Sequence, residues 1–449
     1  MMFNRFIRRL YFHVRQLLTT RVTAAFLMTV FTVILLDMLW RTGIVRDLSI
    51  FVTTPLGQLV VDVIEISSIV FAILRVRYII QRLRRAMPRP IFHQNFRLGD
   101  WTPSEDLLFH GFHSSDRKTG RICGIDAIQL VTAEFPATSF DNRAMWADEE
   151  GSSLGQQLMK YYEDKDGGFT NGLIARLESI EKVKDKSDNH TVILRMHSVN
   201  YFDFVATNLS WENRFRDTPD TLDGGRSLPA ISDTDLLKRF RAFTGSWPKE
   251  FKSVEDALRC EYLANGITIH MNVIDSENNM LVGVRPKNMA IYSEALISSV
   301  SGAIVWNRDR IDKSMAPSPF VAAINEGLAE IGLELPIRDM RFFGLVMQKN
   351  QYHPILVGEV QLAEPISRVQ MGMGEIHDSE ENEEFRPLSL SDLKMCAAVV
   401  KHGNWIPASQ VAVALSLMVR HPPDRVTGYL SRKDGWWDKT LYNIWRSGF

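Results

Sequence analysis

The stretch that most constrains this chain is 318–333, SPFVAAINEGLAEIGL, which is patterned throughout and punctuated at both ends. Phe320, Ala323, Ile324, Gly327, Leu328 and Ile331 recur at the spacing of one helical face. Ser318 stands where an N-cap would, Pro319 suits the first helical turn, and Gly332 suits the position past the end. The spacing predicts an amphipathic helix that must bury its stripe against another layer. Glu326 and Glu330 lie off that stripe, four residues apart and so on one face. Two carboxylates so placed can reach one hard cation. Paired glutamates also occur on ordinary solvated faces, so spacing alone names no function.

Strand-like sequence surrounds this helix. Residues 265–274 and 278–285 read as a hairpin with its turn at 275–279, and 340–346 and 355–361 as two further strands. An acidic run, 378–384, precedes helices expected from about Ser391 and over 405–419. Upstream, 122–134 and 191–197 read as strands, and 154–162, 172–184, 236–243 and 253–262 as helices. Residues 214–232 are rich in Asp, Thr, Pro and Gly and read as a loop or linker.

Within that order of elements, Asn325-Glu326-Gly327-Leu328-Ala329-Glu330-Ile331-Gly332-Leu333 resembles the end of a Nudix box, R-E-U-x-E-E-x-G-U with U apolar. Glu326 matches the first glutamate, Glu330 the last, and Gly332 and Leu333 the closing pair. Asn325 stands at the family's arginine, Ala329 at one of its paired glutamates, and Pro317 at its upstream glutamate. Gly302 serves as the opening glycine only with an insertion. Residues 199–208, VNYFDFVATN, resemble a segment that precedes the sandwich in some large bacterial Nudix-like proteins.

The resemblance covers about residues 260–421 and implies a Nudix-like α/β/α sandwich. It also implies binding, and hydrolysis, of a nucleoside diphosphate linked to another moiety. Mg2+ would sit on Glu326 and Glu330, Arg285 and Lys287 would meet phosphate charge, and Glu383 or Glu384 would be general base. Glu375 and Glu359 are alternatives for the base. The missing acid at Ala329 supports a second reading, an inactive nucleotide sensor controlling a two-helix membrane segment, as in bacterial antiviral effectors.

That segment is read from residues 1–90. Two apolar runs, 22–36 and 57–74, each approach the roughly 20 residues that cross a bilayer. Arg5, Arg8, Arg9, Arg15 and Arg21 precede the first run. Arg75, Arg77, Arg82, Arg84, Arg85 and Arg89 follow the second, and only Arg41 and Arg46 lie between. By the positive-inside rule this predicts a multi-pass inner-membrane protein, with both termini and the soluble part in the cytoplasm. The expected domains are a transmembrane helical hairpin at 1–90, an α+β region at 91–250 and the Nudix-like domain at 251–449. The expected partners are a lipid bilayer, a small nucleotide and further copies of the chain.

Charge bounds the rest. With 449 residues and a net charge of −1, the chain lacks the basic domain of a dedicated nucleic-acid binder. Its three cysteines are far apart, without ligand spacing. His110 and His113 with Asp116 form a weak metal-like motif that reads better as loop or surface.

Overall fold

The structure is a computed structural model. It describes residues 96–447, apart from 99, 104–106, 113, 116–120, 135–155, 162–171, 185–189, 216–230, 288–291, 313–314, 370–381 and 433–434. The chain divides into two compact units between Met87 and Pro88, and everything described belongs to the second. The boundary expected at 250 falls inside that unit.

Upstream strands are β1 (Leu107–Gly111), β2 (Ser114–Ser115), β3 (Ile122–Cys123), β4 (Leu130–Glu134), β5 (Leu173–Lys184) and β6 (His190–Asn200). Downstream are β7 (Thr268–Ile274), β8 (Asn279–Val284), β9 (Leu296–Ile297), β10 (Val300–Ala303), β11 (Met340–Gln348), β12 (His353–Gln361) and β13 (Glu384–Ser389). The principal helices are α1 (Thr234–Thr244), α2 (Val254–Leu258), α3 (Pro319–Ile331), α4 (Leu393–His402), α5 (Pro407–Arg420), α6 (Pro423–Leu430) and α7 (Trp436–Ser447).

The expected hairpin is β7 and β8, and Asp275 closes it. Its buried carboxylate accepts the N–H groups of Glu277, Asn279 and Ile366 and the Asn279 side-chain amide. Asn278 takes a left-handed φ of 63°, a conformation that Asn tolerates better than most residues. Around the hairpin the sheet runs β1-β11-β12-β7-β8-β13, with β10 also on β7 and β9 on β8. β12 runs parallel to β7, and the other pairings in this sheet are antiparallel.

Strand alternation sorts the core into two faces. Phe342, Leu345 and Met347 of β11 and Leu356 and Val360 of β12 join one apolar cluster with Phe320, Ala322, Ala323 and Ile331 of α3. Phe343, Val346, Ile355 and Val357 join another with Val411, Ala412 and Leu415 of α5. The result is a mixed α/β sandwich with a helical layer on each face. This is the layering that the Nudix resemblance implies.

α3 keeps its expected span, with Pro319 in its first turn and Gly332 at φ 66° ending it. Ser318 sits at the N-cap but its side chain makes no capping bond. The helix is rolled relative to the expected stripe: Leu328 is 48% exposed while Glu330 is 3% exposed.

Two upstream expectations are corrected. Of the residues 172–184 expected as a helix, Leu173–Lys184 form strand β5, because β6 pairs with it along its whole length. Tertiary pairing overrides the helix propensity of its Ala, Leu, Glu and Lys. The strand expected over 122–134 is cut by a turn in which Asp126 accepts the N–H groups of Ile128 and Gln129.

The expected multi-pass inner-membrane location is also corrected. Among the described residues no helix is long and apolar enough to cross a membrane. The runs 22–36 and 57–74, on which that expectation rested, lie outside the described residues.

Candidate functional site

The box glutamates lie on the α3 face of the sheet, where β10 passes beneath the helix. Gly302 makes this approach possible: a Cβ there would come within 2.5 Å of the Glu326 carboxyl carbon. Glu326 forms an ion pair with Arg308, from the loop between β10 and α3. Arg308 also holds Asp309 through Nε at 2.7 Å and Nη2 at 3.1 Å. Asp309 is fully buried, and it further accepts the Asn325 amide at 2.8 Å and the Val305 N–H at 2.7 Å. Burial opposes the charge on Arg308, but Asp309 and Glu326 outweigh it and hold its pKa above the ordinary arginine value. Glu330 is turned into the core, where its carboxylate accepts the Ser301 N–H at 3.2 Å.

The other expected site residues lie on β12, at the start of β13 and just after β8. Glu383 donates its N–H to Val284 O, and Glu384 opens the edge strand β13, paired with Arg386. Lys287 is an exposed partner of Glu294 at 3.5 Å. Arg285 follows β8, its N–H donating to Ala295 O. Glu359 is fully buried between Arg420, at 2.7 Å, and Arg341, at 3.4 Å. Glu375 lies outside the described residues, as do His113 and Asp116. His110 pairs with Glu255.

A Nudix box implies a divalent metal, and these residues do not fit one. Glu326 faces a guanidinium, Glu330 a backbone N–H, and Ala329 has no donor. Among the described residues no group of three or more His, Cys, Asp or Glu side chains is placed to hold a metal ion.

The opposite face of the sheet carries a polar cluster that sequence reasoning missed. Thr268, His270 and Asn272 of β7 point toward α5, with His270 Nδ1 2.7 Å from Ser409 Oγ and the Asn272 amide 3.1 Å from Ser416 Oγ. Ser409 Oγ also accepts the Ser298 N–H at 3.0 Å. At the near end of β11, Tyr292 donates its hydroxyl to Gln348, which lies opposite His353 on β12. Tyr292 reaches Gln348 from a left-handed φ of 58°, costly for an aromatic residue. Burial pushes the pKa of His270 and of His353 down to about 3; His353 and Arg285 depress that of His270 further. Both imidazoles are therefore neutral near pH 7. The signal was present in the strand sequence TIHMNVI read at alternate steps: Thr268, His270 and Asn272 are polar in a strand that is buried along its whole length.

No protein-family model and no curated protein matches the chain. Among solved structures it is similar to a Deinococcus radiodurans protein, at 13% identity and TM-score 0.24, over 34% of this chain and 81% of that one. It is similar to a MutT protein of Methanosarcina mazei at 11% identity and TM-score 0.23, over 34% and 93%. A NUDIX-family hydrolase of Clostridium perfringens aligns at 14% identity and TM-score 0.21, over 34% and 98%.

Proposed function

We propose that this chain uses a Nudix-like domain to bind a small nucleotide, without metal-assisted cleavage of it. The observation that carries this reading is the Arg308 guanidinium between Glu326 and buried Asp309. An internal cation stands where the resemblance would put a divalent one, and it ties the loop before α3 to the helix. Alanine at 329, where the box pattern has an acid, and the engagement of Glu326 by Arg308 and of Glu330 by Ser301 both point the same way. The box residues then act as scaffold, and ligand recognition falls to other side chains.

Titration calorimetry and phosphate release on a panel of nucleoside diphosphate derivatives would test this. The expected result is saturable binding with no turnover in Mg2+ or Mn2+, and binding unchanged by chelator. The double change Arg308→Ala with Ala329→Glu releases Glu326 and restores the paired acids. It should therefore create a Mg2+-dependent rise in melting temperature that the parent lacks. Metal-dependent hydrolysis by the parent, abolished by Glu326→Gln, would sink the proposal.

A further inference from the structure

We infer that the ligand's uncharged heterocyclic base is held on the α5 face of the sheet, among Thr268, Ser298, Gln348 and His353. This rests on the reading of the domain as a nucleotide binder and says where and by what chemistry the base is recognised. Four buried polar atoms there, Thr268 Oγ1, Ser298 Oγ, Gln348 Nε2 and His353 Nε2, have no hydrogen-bond partner among the described residues. Thr268, Ser298 and Gln348 are each at least nine-tenths buried. An orphaned buried polar group loses its hydration without compensation, and folded proteins leave few of them. Four belonging to one face offer donors and acceptors that a bound group would complete.

Topology brings them together. Thr268 lies two residues before His270 on the same face of β7, and its neighbour on β12 is Ile355, two residues after His353. Gln348 is directly across from His353. Ser298 is tied through its N–H to Ser409, which in turn holds His270. Ser409 is in the first turn of α5, whose N-cap position, Ile406, provides no side-chain cap.

The chemistry of the set selects the ligand. Gln348 presents an amide donor, because its oxygen is already taken by Tyr292. Thr268 and Ser298 can each donate or accept, and neutral His353 can do either at Nε2. None of these four groups is charged near pH 7. A phosphate or carboxylate would be poorly matched to them, whereas the edge of a nucleobase offers neutral donors and acceptors in one plane. Arg285, close enough to His270 to depress its pKa, supplies positive charge for the phosphate end.

The test is calorimetry and thermal shift on the full chain with AMP, GMP, CMP and UMP, the matching free nucleosides, and inorganic phosphate alone. At least one nucleoside should bind, and phosphate alone should not substitute for it. Thr268→Val and Ser298→Ala remove only orphaned hydroxyls, so each variant should melt at or above the parent temperature. Each should also bind that nucleoside at least tenfold more weakly. Equal affinity in parent and variants would overturn the location while leaving a nucleotide-binding domain intact. No binding of any nucleotide or nucleoside to the parent would overturn both readings. Binding of phosphate alone, as tight as that of the nucleotide, would overturn the assignment to a base.

Discussion

Arg420→Ala is expected to cost about 3–5 kcal/mol of folding stability, the scale of removing one partner from a buried ion pair. Arg420 donates to Glu359 Oε2 at 2.7 Å, to Gln361 Oε1 at 2.8 Å and to Asn278 Oδ1 at 3.2 Å. One side chain thus ties the last turn of α5 to β12 and to the hairpin turn. Without it, fully buried Glu359 keeps only Arg341, at 3.4 Å, against the low dielectric around it. The double change Glu359→Gln with Arg420→Met removes both charges and should recover more than half the loss. Urea denaturation of the parent, both single variants and the double variant gives the coupling directly. Additive single effects would show that the pair does not act as a unit.

Acid should destabilise the fold well before carboxylates titrate. His270 and His353 have folded pKa values of about 3, below the 6.5 of an unperturbed histidine. Between those values the unfolded chain binds more protons, so stability falls as pH drops through the window. At about 1.4 kcal/mol per pK unit, the two together should cost about 4 kcal/mol between pH 7 and pH 5. Denaturation curves at the two pH values measure this, and His353→Leu should remove about half of the drop. An unchanged drop in a variant lacking both histidines would place the acid sensitivity elsewhere.

Much of the architecture could be read from local pattern. The turn at Asp275, the helix ended by Gly332 and the strands expected at 340–346 and 355–361, found at Met340–Gln348 and His353–Gln361, were legible from local pattern. Local chemistry dominates in all three. Where a distant partner decides, the sequence misled: LIARLESIEKVK reads as a helix until β6 is beside it. The site was harder still. Glu326 and Glu330 were legible as a pair on one face, but their occupants come from 18 and 29 residues away. Nothing local marks Arg308 as the partner of Glu326. The polar positions of β7 carry a period-two signal that ordinarily means solvent. Here they face α5, so the same pattern means a buried polar layer, and only the second helical layer distinguishes the two.

The pairing of β1 with β11 has a consequence for how this chain can be divided. Leu107 to Gly111 lie along Gln348 to Gly344, and the β1 backbone comes so close that a Cβ on Gly344 would sit 2.5 Å from His110 O. β1 is therefore a cover on an otherwise open strand whose sequence, MRFFGLVMQ, is almost wholly apolar. A fragment beginning at residue 251 would keep the box helix yet expose that row of unpaired N–H and C=O groups. Such an edge templates pairing with other chains. The fragment should self-associate through β11, and a lysine at Val346 should suppress aggregation only at the expense of the α5 core. β1, from the far side of the 156 residues that separate it from β7, acts in this respect as a chaperone carried in the same polypeptide.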